Sequence, residues 1–348
     1  MEKINNQQID DLIKSELFGI LPNGAEINKY TIQNKNGFEL SLINYGATIT
    51  SLKIPSENNL KTDIVLGFDS LDQYINSFHL PSPPYLGSTI GRYSGRINNG
   101  QFILNSEKYQ LNKNHGNNHL HGGNYGFNTK NWKLVESSKN DKSSLTFQYI
   151  SKDGEENYPG EVKVEVTYIL TDDNELKIHF FAKSNQDTIL NLTNHSYFNL
   201  DGHDQNIGNQ KLLIHSNKTL EINDEQIPTG KYIEVLGSET NFLTEKNCPE
   251  SIDTTFVLNN TACATLYSAQ NKIKMTVTTN QPSVHVYVGG NCFNEIYGKE
   301  KSNYHTQSGI CFETQNFPDA PNHPNFPNSI LKKDSLYINQ TTFKFEKK

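Results

Sequence analysis

Val162-Lys163-Val164-Glu165-Val166-Thr167-Tyr168 alternates apolar and polar side chains, turns through Thr171-Asp172-Asp173-Asn174, and returns as Leu176-Lys177-Ile178-His179-Phe180. Successive side chains of a strand point to opposite faces, so this period of two predicts an antiparallel hairpin with one face in a core and the other in water. The same texture runs outward in both directions. Phe38-Glu39-Leu40-Ser41-Leu42 and Gln101-Phe102-Ile103-Leu104 precede the hairpin; Met275-Thr276-Val277, Val284-His285-Val286-Tyr287-Val288 and Phe343-Lys344-Phe345 follow it. Asn23-Gly24, Asn36-Gly37 and Asn99-Gly100 are dipeptides that tolerate positive φ and mark tight turns. Ser70–Ile75 reads as one helical turn, and Ile9, Leu12, Ile13 and Leu17 fall at helical spacing within residues 1–17. No linker or fixed-period repeat interrupts the rest. The expected architecture is all-β: one large antiparallel β-sandwich over residues 18–348, its two sheets packed face to face, with residues 1–17 as an N-terminal extension containing a short helix.

At 348 residues the chain can bury a large core as one β domain. Its formal charge of −7, with no basic patch, argues against nucleic acid or an anionic membrane as partner. No apolar run approaches the length of a membrane span, and Met1-Glu2-Lys3-Ile4-Asn5-Asn6-Gln7 lacks a signal-peptide pattern. Cys248, Cys263, Cys292 and Cys311 are scattered and form no CxxC pair, which suits free thiols in a reducing compartment. A cytoplasmic protein is expected.

The chemistry-bearing residues sit at strand ends and in glycine-rich or proline-rich loops. Ile310-Cys311-Phe312 reads as a strand with Glu313 at its end, followed by Thr314-Gln315-Asn316-Phe317-Pro318-Asp319-Ala320-Pro321. Prolines hold that loop in shape, and a Glu aimed into a rigid polar loop suits a general base. Asn118-His119-Leu120-His121-Gly122-Gly123 places two histidines on one face of an extended segment, with glycines leaving the second ring accessible. A His-x-His pair can bind metal, but no third ligand follows at useful spacing, so a hydrogen-bonding role is expected and no metal or other cofactor. Asn194 and His195 follow the apolar strand Ile189–Thr193, which puts an imidazole at the rim of a sheet. Arg92 and Arg96 lie between glycines where multi-donor recognition of hydroxyls or a carboxylate fits. Asp253 and Gln281 are polar residues at strand ends, suited to vicinal hydroxyls and equally to turns.

Taken in order, several stretches resemble the galactose mutarotase (aldose 1-epimerase) family. They are Asn44-Tyr45-Gly46-Ala47, Thr89-Ile90-Gly91-Arg92 with Gly95-Arg96-Ile97, Leu120-His121-Gly122-Gly123, Thr193–Leu200, Ile227-Pro228-Thr229-Gly230 and Glu313–Ala320. The resemblance spans Phe18 to Phe345 and implies a large β-sandwich that opens and recloses aldohexoses at the anomeric carbon. By the same resemblance, Glu313 takes the proton from the C1 hydroxyl, His195 protonates the ring oxygen and His121 hydrogen-bonds nearby. Arg96, Asp253, Gln281 and Asn194 are implied as sugar-holding residues. The chain departs from the family pattern at Gly95, where Asn is frequent, and at Thr254, where His is common.

This chemistry needs two groups of opposite proton affinity and no metal, nucleotide or redox cofactor. A partly desolvated site is expected for Glu313. The partner implied is a small-molecule aldohexose substrate, and the protein is expected as a monomer or homodimer. A glycosidase would want two carboxylates flanking the bond, and a hexose-phosphate epimerase more Lys or Arg around the pocket. A sugar-binding module that has lost its chemistry would lack Glu313 or one of the histidines, all of which are present.

Overall fold

A computed structural model describes residues 14–55, 60–138, 142–289 and 297–348. Strands dominate, and the main sheets are antiparallel. A nine-stranded sheet carries the hairpin Val162–Thr171 and Glu175–Ser184 near one end, with Tyr337–Lys347 and Ile273–Thr279 at its centre. A six-stranded sheet runs in the order Tyr197–Phe198, Ile310–Gln315, Ser283–Val288, Ile252–Val257, Lys218–Ile222, Pro228–Glu234. A five-stranded sheet is formed by consecutive strands from Lys14–Ile20 to Lys61–Asp63.

One continuous core joins all three sheets. Val162, Val164, Val166, Tyr168 and Leu170 from the opening hairpin meet Leu40, Leu42 and Ile49 of the five-stranded sheet, and the same core takes in Phe256, Val284, Val286 and Phe312 of the six-stranded sheet. Each fully buried aliphatic or aromatic side chain contributes about 1.5–3 kcal/mol. The alternation that predicts the hairpin therefore also orients it, because a one-residue slip would turn that whole set to solvent.

Three local expectations change. Lys14–Ile20 is a strand paired with Glu26–Gln33, so residues 14–17 belong to the sheet and not to a helical extension; residues 1–13, where the rest of that helix was expected, lie outside the described residues. Asn23-Gly24 and Asn36-Gly37 close hairpins with glycine φ of +83° at both. Asn99-Gly100 has the positive φ its composition predicts but joins Arg96–Ile97 to Gln101–Leu104, which pair with different partners. The helical turn at Ser70–Ile75 is a helix over Leu71–Ser77, capped by a Ser70–Gln73 capping box. Among the described residues no helix is long and apolar enough to cross a membrane.

The face of the six-stranded sheet turned away from the core positions the site. Phe256, Val284, Val286 and Phe312 alternate inward, so Asp253, Thr255, His285, Tyr287, Cys311, Glu313 and Gln315 share the opposite face. Register fixes their neighbours: Thr255 is opposite His285, His285 opposite Glu313, and Asp253 opposite Tyr287.

Candidate active site

A cavity of about 640 Å³ opens on that face. Glu313, His195 and His121 come together in its lining. Glu313 lies within the strand Ile310–Gln315 and not at its end, since pairing with Ser283–Val288 continues to Gln315. It is only 2% exposed, a stronger desolvation than the sequence leads one to expect. Its Oε1 stands 3.4 Å from Nε2 of His195, and its Oε2 is buried without a partner among the described residues.

His195 is 4% exposed and arrives from a loop clamped to the segment around Gly87-Ser88. Its N–H donates to Ser88 O at 2.9 Å, and its carbonyl accepts from Gly87 N–H at 3.0 Å. Asn194 completes the clamp: its Nδ2 donates to Gly87 O, and its Oδ1 accepts from the Ser196 N–H and hydroxyl. The side chain expected to hold sugar thus secures the loop that presents His195. Nδ1 of His195 lies 3.5 Å from Cys311 Sγ, on the strand and face that carry Glu313. Burial lowers the proton affinity of His195, and the Glu313 carboxylate opposes that shift.

His119 and His121 separate. His119 is buried, with Nδ1 at 2.7 Å from Asn112 O and Nε2 at 2.6 Å from Tyr158 OH, a histidine satisfied inside the protein. His121 leaves the extended conformation, with φ of +52°, which swings its ring away from the shared face expected from sequence. Gly122 permits the turn: a Cβ there would meet Gly91 O at 1.8 Å. Nδ1 of His121 accepts the Gly95 N–H at 3.2 Å. Burial, with His195 and Arg96 close by, pushes its pKa well below the usual imidazole value, so the ring is neutral and its proton sits on Nε2. His121 is thereby an Nε2–H donor.

Ligand atoms of His121, His195 and Glu313 all lie within 4.8 Å of one another. Two histidines and a glutamate form a donor set that zinc accepts elsewhere. Here the Gly95 N–H occupies the His121 Nδ1 lone pair, and the remaining nitrogen carries a proton. That arrangement favours donation to a ligand oxygen over metal coordination.

The two arginines also divide. Arg92 is buried and spends its guanidinium on Ser151 Oγ and the carbonyls of Ser151, Lys152 and Pro159. Arg96 borders the cavity, bonds Gln226 Oε1 through NH2, and keeps a buried Nε unpaired. Asp253 accepts from Gln226 Nε2 at 3.0 Å on Oδ2, and its Oδ1 stands 2.8 Å from His285 Nε2. Burial acts to raise its pKa, but His285, Arg96 and Gln226 outweigh that and bring it to about 2. Gly95 has φ of +80°, and Thr254 borders the cavity beside Asp253.

Gln281 is the expectation the geometry does not support. It sits at a turn outside the cavity, its Nε2 bonded to Asn280 Oδ1 and Ile338 O. Among the described residues, Gln226 and Gln315 are the cavity amides. Gln315 had a legible signal, because it lies two residues past Glu313 and so shares its face; its Oε1 is buried and unpaired. Gln226, at φ of +60° in the turn before Ile227-Pro228, and His285, placed by strand register, had none. Tyr85 packs its ring 5.0 Å from that of His121 and 5.8 Å from that of His195.

The aldose 1-epimerase family profile matches residues 28–344. A galactose mutarotase of Bos taurus is 37% identical over 343 residues, covering 94% of this chain and 97% of its own. An aldose 1-epimerase of Haemophilus influenzae is 34% identical, with 93% and 97% covered. Among solved structures, galactose 1-epimerase from Lactobacillus acidophilus superimposes with a TM-score of 0.84 at 27% identity, covering 96% of this chain and 98% of its own.

Proposed function

The chain belongs to the aldose 1-epimerase family, and we propose from that premise that Glu313 and His195 carry the proton transfers that interconvert the α and β anomers of an aldohexose, D-galactose or D-glucose. The protein is an isomerase of the mutarotase type acting on a small-molecule sugar. The observation that carries the residue assignment is the Glu313–His195 pair, 3.4 Å apart and nearly buried in the cavity wall, with one carboxylate oxygen unpaired among the described residues.

Glu313, as a carboxylate, accepts the proton of the C1 hydroxyl. As the C1–O5 bond breaks, the ring oxygen takes a proton from the His195 imidazolium. Burial that weakens the hold of His195 on its proton makes it the stronger acid toward a weakly basic ether oxygen. Rotation about C1–C2 in the open-chain aldehyde, then re-addition with the two groups in exchanged roles, yields the other anomer. The His121 Nε2–H stabilises developing negative charge on a sugar oxygen. Arg96, Asp253, Gln226 and Gln315 hold hydroxyls, and Asn194 acts through the loop it fixes. Protons balance with these side chains alone, so the mechanism uses no cofactor.

A cytoplasmic enzyme, monomeric or homodimeric, completes the proposal; the charge of −7 supports a partner list without nucleic acid. The test is polarimetry of freshly dissolved α-D-galactose and α-D-glucose with wild type and Glu313→Gln. Acceleration by wild type, lost in the variant, supports the assignment; sugar binding without acceleration by either protein would make it a binding module.

A further inference from the structure

A second ionisable pair stands beside the first and has no part in the proton transfers just described. Nε2 of His285 lies 2.8 Å from Asp253 Oδ1, and its Nδ1 lies 2.8 Å from Thr255 Oγ1. Asp253 and Thr255 lie on one neighbouring strand; Glu313 is the register partner of His285 on the other. Directly opposed cross-strand residues have Cβ atoms about 4.5–5.5 Å apart. The imidazole therefore bonds one carboxylate and has the second as its register partner on the other strand, and both of its nitrogens have partners that can accept an N–H.

The charges around this ring can be counted. Arg96 faces it from the segment Arg96–Ile97, His115, His121 and His195 from their loops, Tyr85 and Glu239 from two further segments, and Tyr287 from its own strand, all lining the same cavity. His121 is neutral, and burial disfavours the charged form of His195. With His195 and His285 both neutral, Asp253 and Glu313 would face one guanidinium. With His285 charged, two carboxylates face two cations, and the proton that His195 carries in the reacting complex comes in addition to these. Burial and, after it, Arg96 act to lower the pKa of His285, but Asp253 and then Glu313 outweigh them, leaving it raised above 6.5.

We propose that His285 is a positioning residue for the anomer interconversion: as an imidazolium bonded to Asp253 and standing opposite Glu313, it fixes the Asp253 carboxylate against the cavity and supplies positive charge beside Glu313. Asp253 is then gripped on Oδ1 by His285 and on Oδ2 by Gln226, so the remaining lone pairs have fixed directions toward sugar hydroxyls. A carboxylate as buried as Asp253 needs a neighbouring positive charge to stay ionised. The inference rests on Glu313 being the base, as proposed above.

The experiment combines histidine-ring NMR titration with the pH dependence of kcat/KM for D-galactose. The ring signals of His285 are assigned by their loss in His285→Gln. In wild type they titrate above pH 6.5, and in Asp253→Asn the midpoint falls by at least one pH unit. His285→Gln keeps a polar side chain without the charge; its acid limb of kcat/KM moves to higher pH by half a unit or more, and KM rises severalfold. A His285 midpoint at or below 6.5 in wild type overturns the proposal, as does an unmoved acid limb in a folded His285→Gln. If His285→Gln does not fold, the effect of Asp253→Asn on the wild-type midpoint decides, with His285 assigned from its ring contact to Thr255. An absence of mutarotation in wild type would defeat the reading of Glu313 as base, while the titration would still decide whether the ion pair exists.

Discussion

Nε2 of His195 lies 3.4 Å from Oε1 of Glu313, although one residue comes from a loop and the other from the middle of a strand more than a hundred positions later. Burial and the carboxylate pull His195 in opposite directions, and burial wins. Its acid form is therefore present at low pH and lost as pH rises through a value below 6.5. The alkaline limb of kcat/KM is expected below the ordinary imidazole midpoint, and polarimetry across pH 4.5–8.5 checks it.

Replacing His195 by Asn removes the acid and keeps a polar side chain of similar reach. One positioned proton transfer is worth about 10²–10⁴-fold. Steady-state kinetics should show kcat down by that range with KM little changed, since binding is assigned to other residues.

The amides give a paired prediction. Gln281→Ala should leave KM and kcat within about twofold, because its hydrogen bonds are local to a turn outside the cavity. Gln315→Ala removes an unpaired, buried acceptor of the cavity wall and should raise KM about two- to tenfold. Initial-rate polarimetry on both variants separates them.

A stability prediction concerns Lys299, whose Nζ is buried against Asp63 Oδ2 at 2.6 Å and the carbonyls of Thr50 and Val65. Burial holds the ammonium below its usual range, with Asp63 opposing. Burial also raises the Asp63 carboxyl, but Lys299, Ser51 and the Leu52 N–H outweigh it and leave the group lowered. Asp63 thus stabilises the fold above its unfolded pKa, and that stability is lost as pH falls through the lower folded value. Lys299→Met strands a buried carboxylate and should cost about 3–5 kcal/mol. Adding Asp63→Asn should recover much of the loss; urea melts of the single and double variants measure both.

Much of this was legible in the residues themselves. The alternation from Val162 to Phe180 specifies both the hairpin and its buried face, because period and burial are the same signal in a strand. Glu313, His195, His121, Arg96 and Asp253 converge on one cavity as the ordered motifs imply. What failed depended on register and on backbone turns. Gln281 and Gln315 are equivalent by type, but Gln315 shares the strand face of Glu313 by period two, whereas Gln281 falls in a turn whose direction the sequence does not give. Arg92 and Arg96 share a glycine-rich segment, yet one is consumed by the carbonyls of a distant loop. His285 sits among valines in an ordinary alternating strand, and its importance rests on two neighbouring strands that the linear sequence does not bring together.

The most direct measurement is the decay of optical rotation of fresh α-D-galactose with wild type and Glu313→Gln at equal concentration, with the fold of each checked by circular dichroism. Acceleration by wild type and a loss of about 10²-fold or more in the variant is the predicted result. A folded Glu313→Gln that matches wild type would contradict Glu313 as the base.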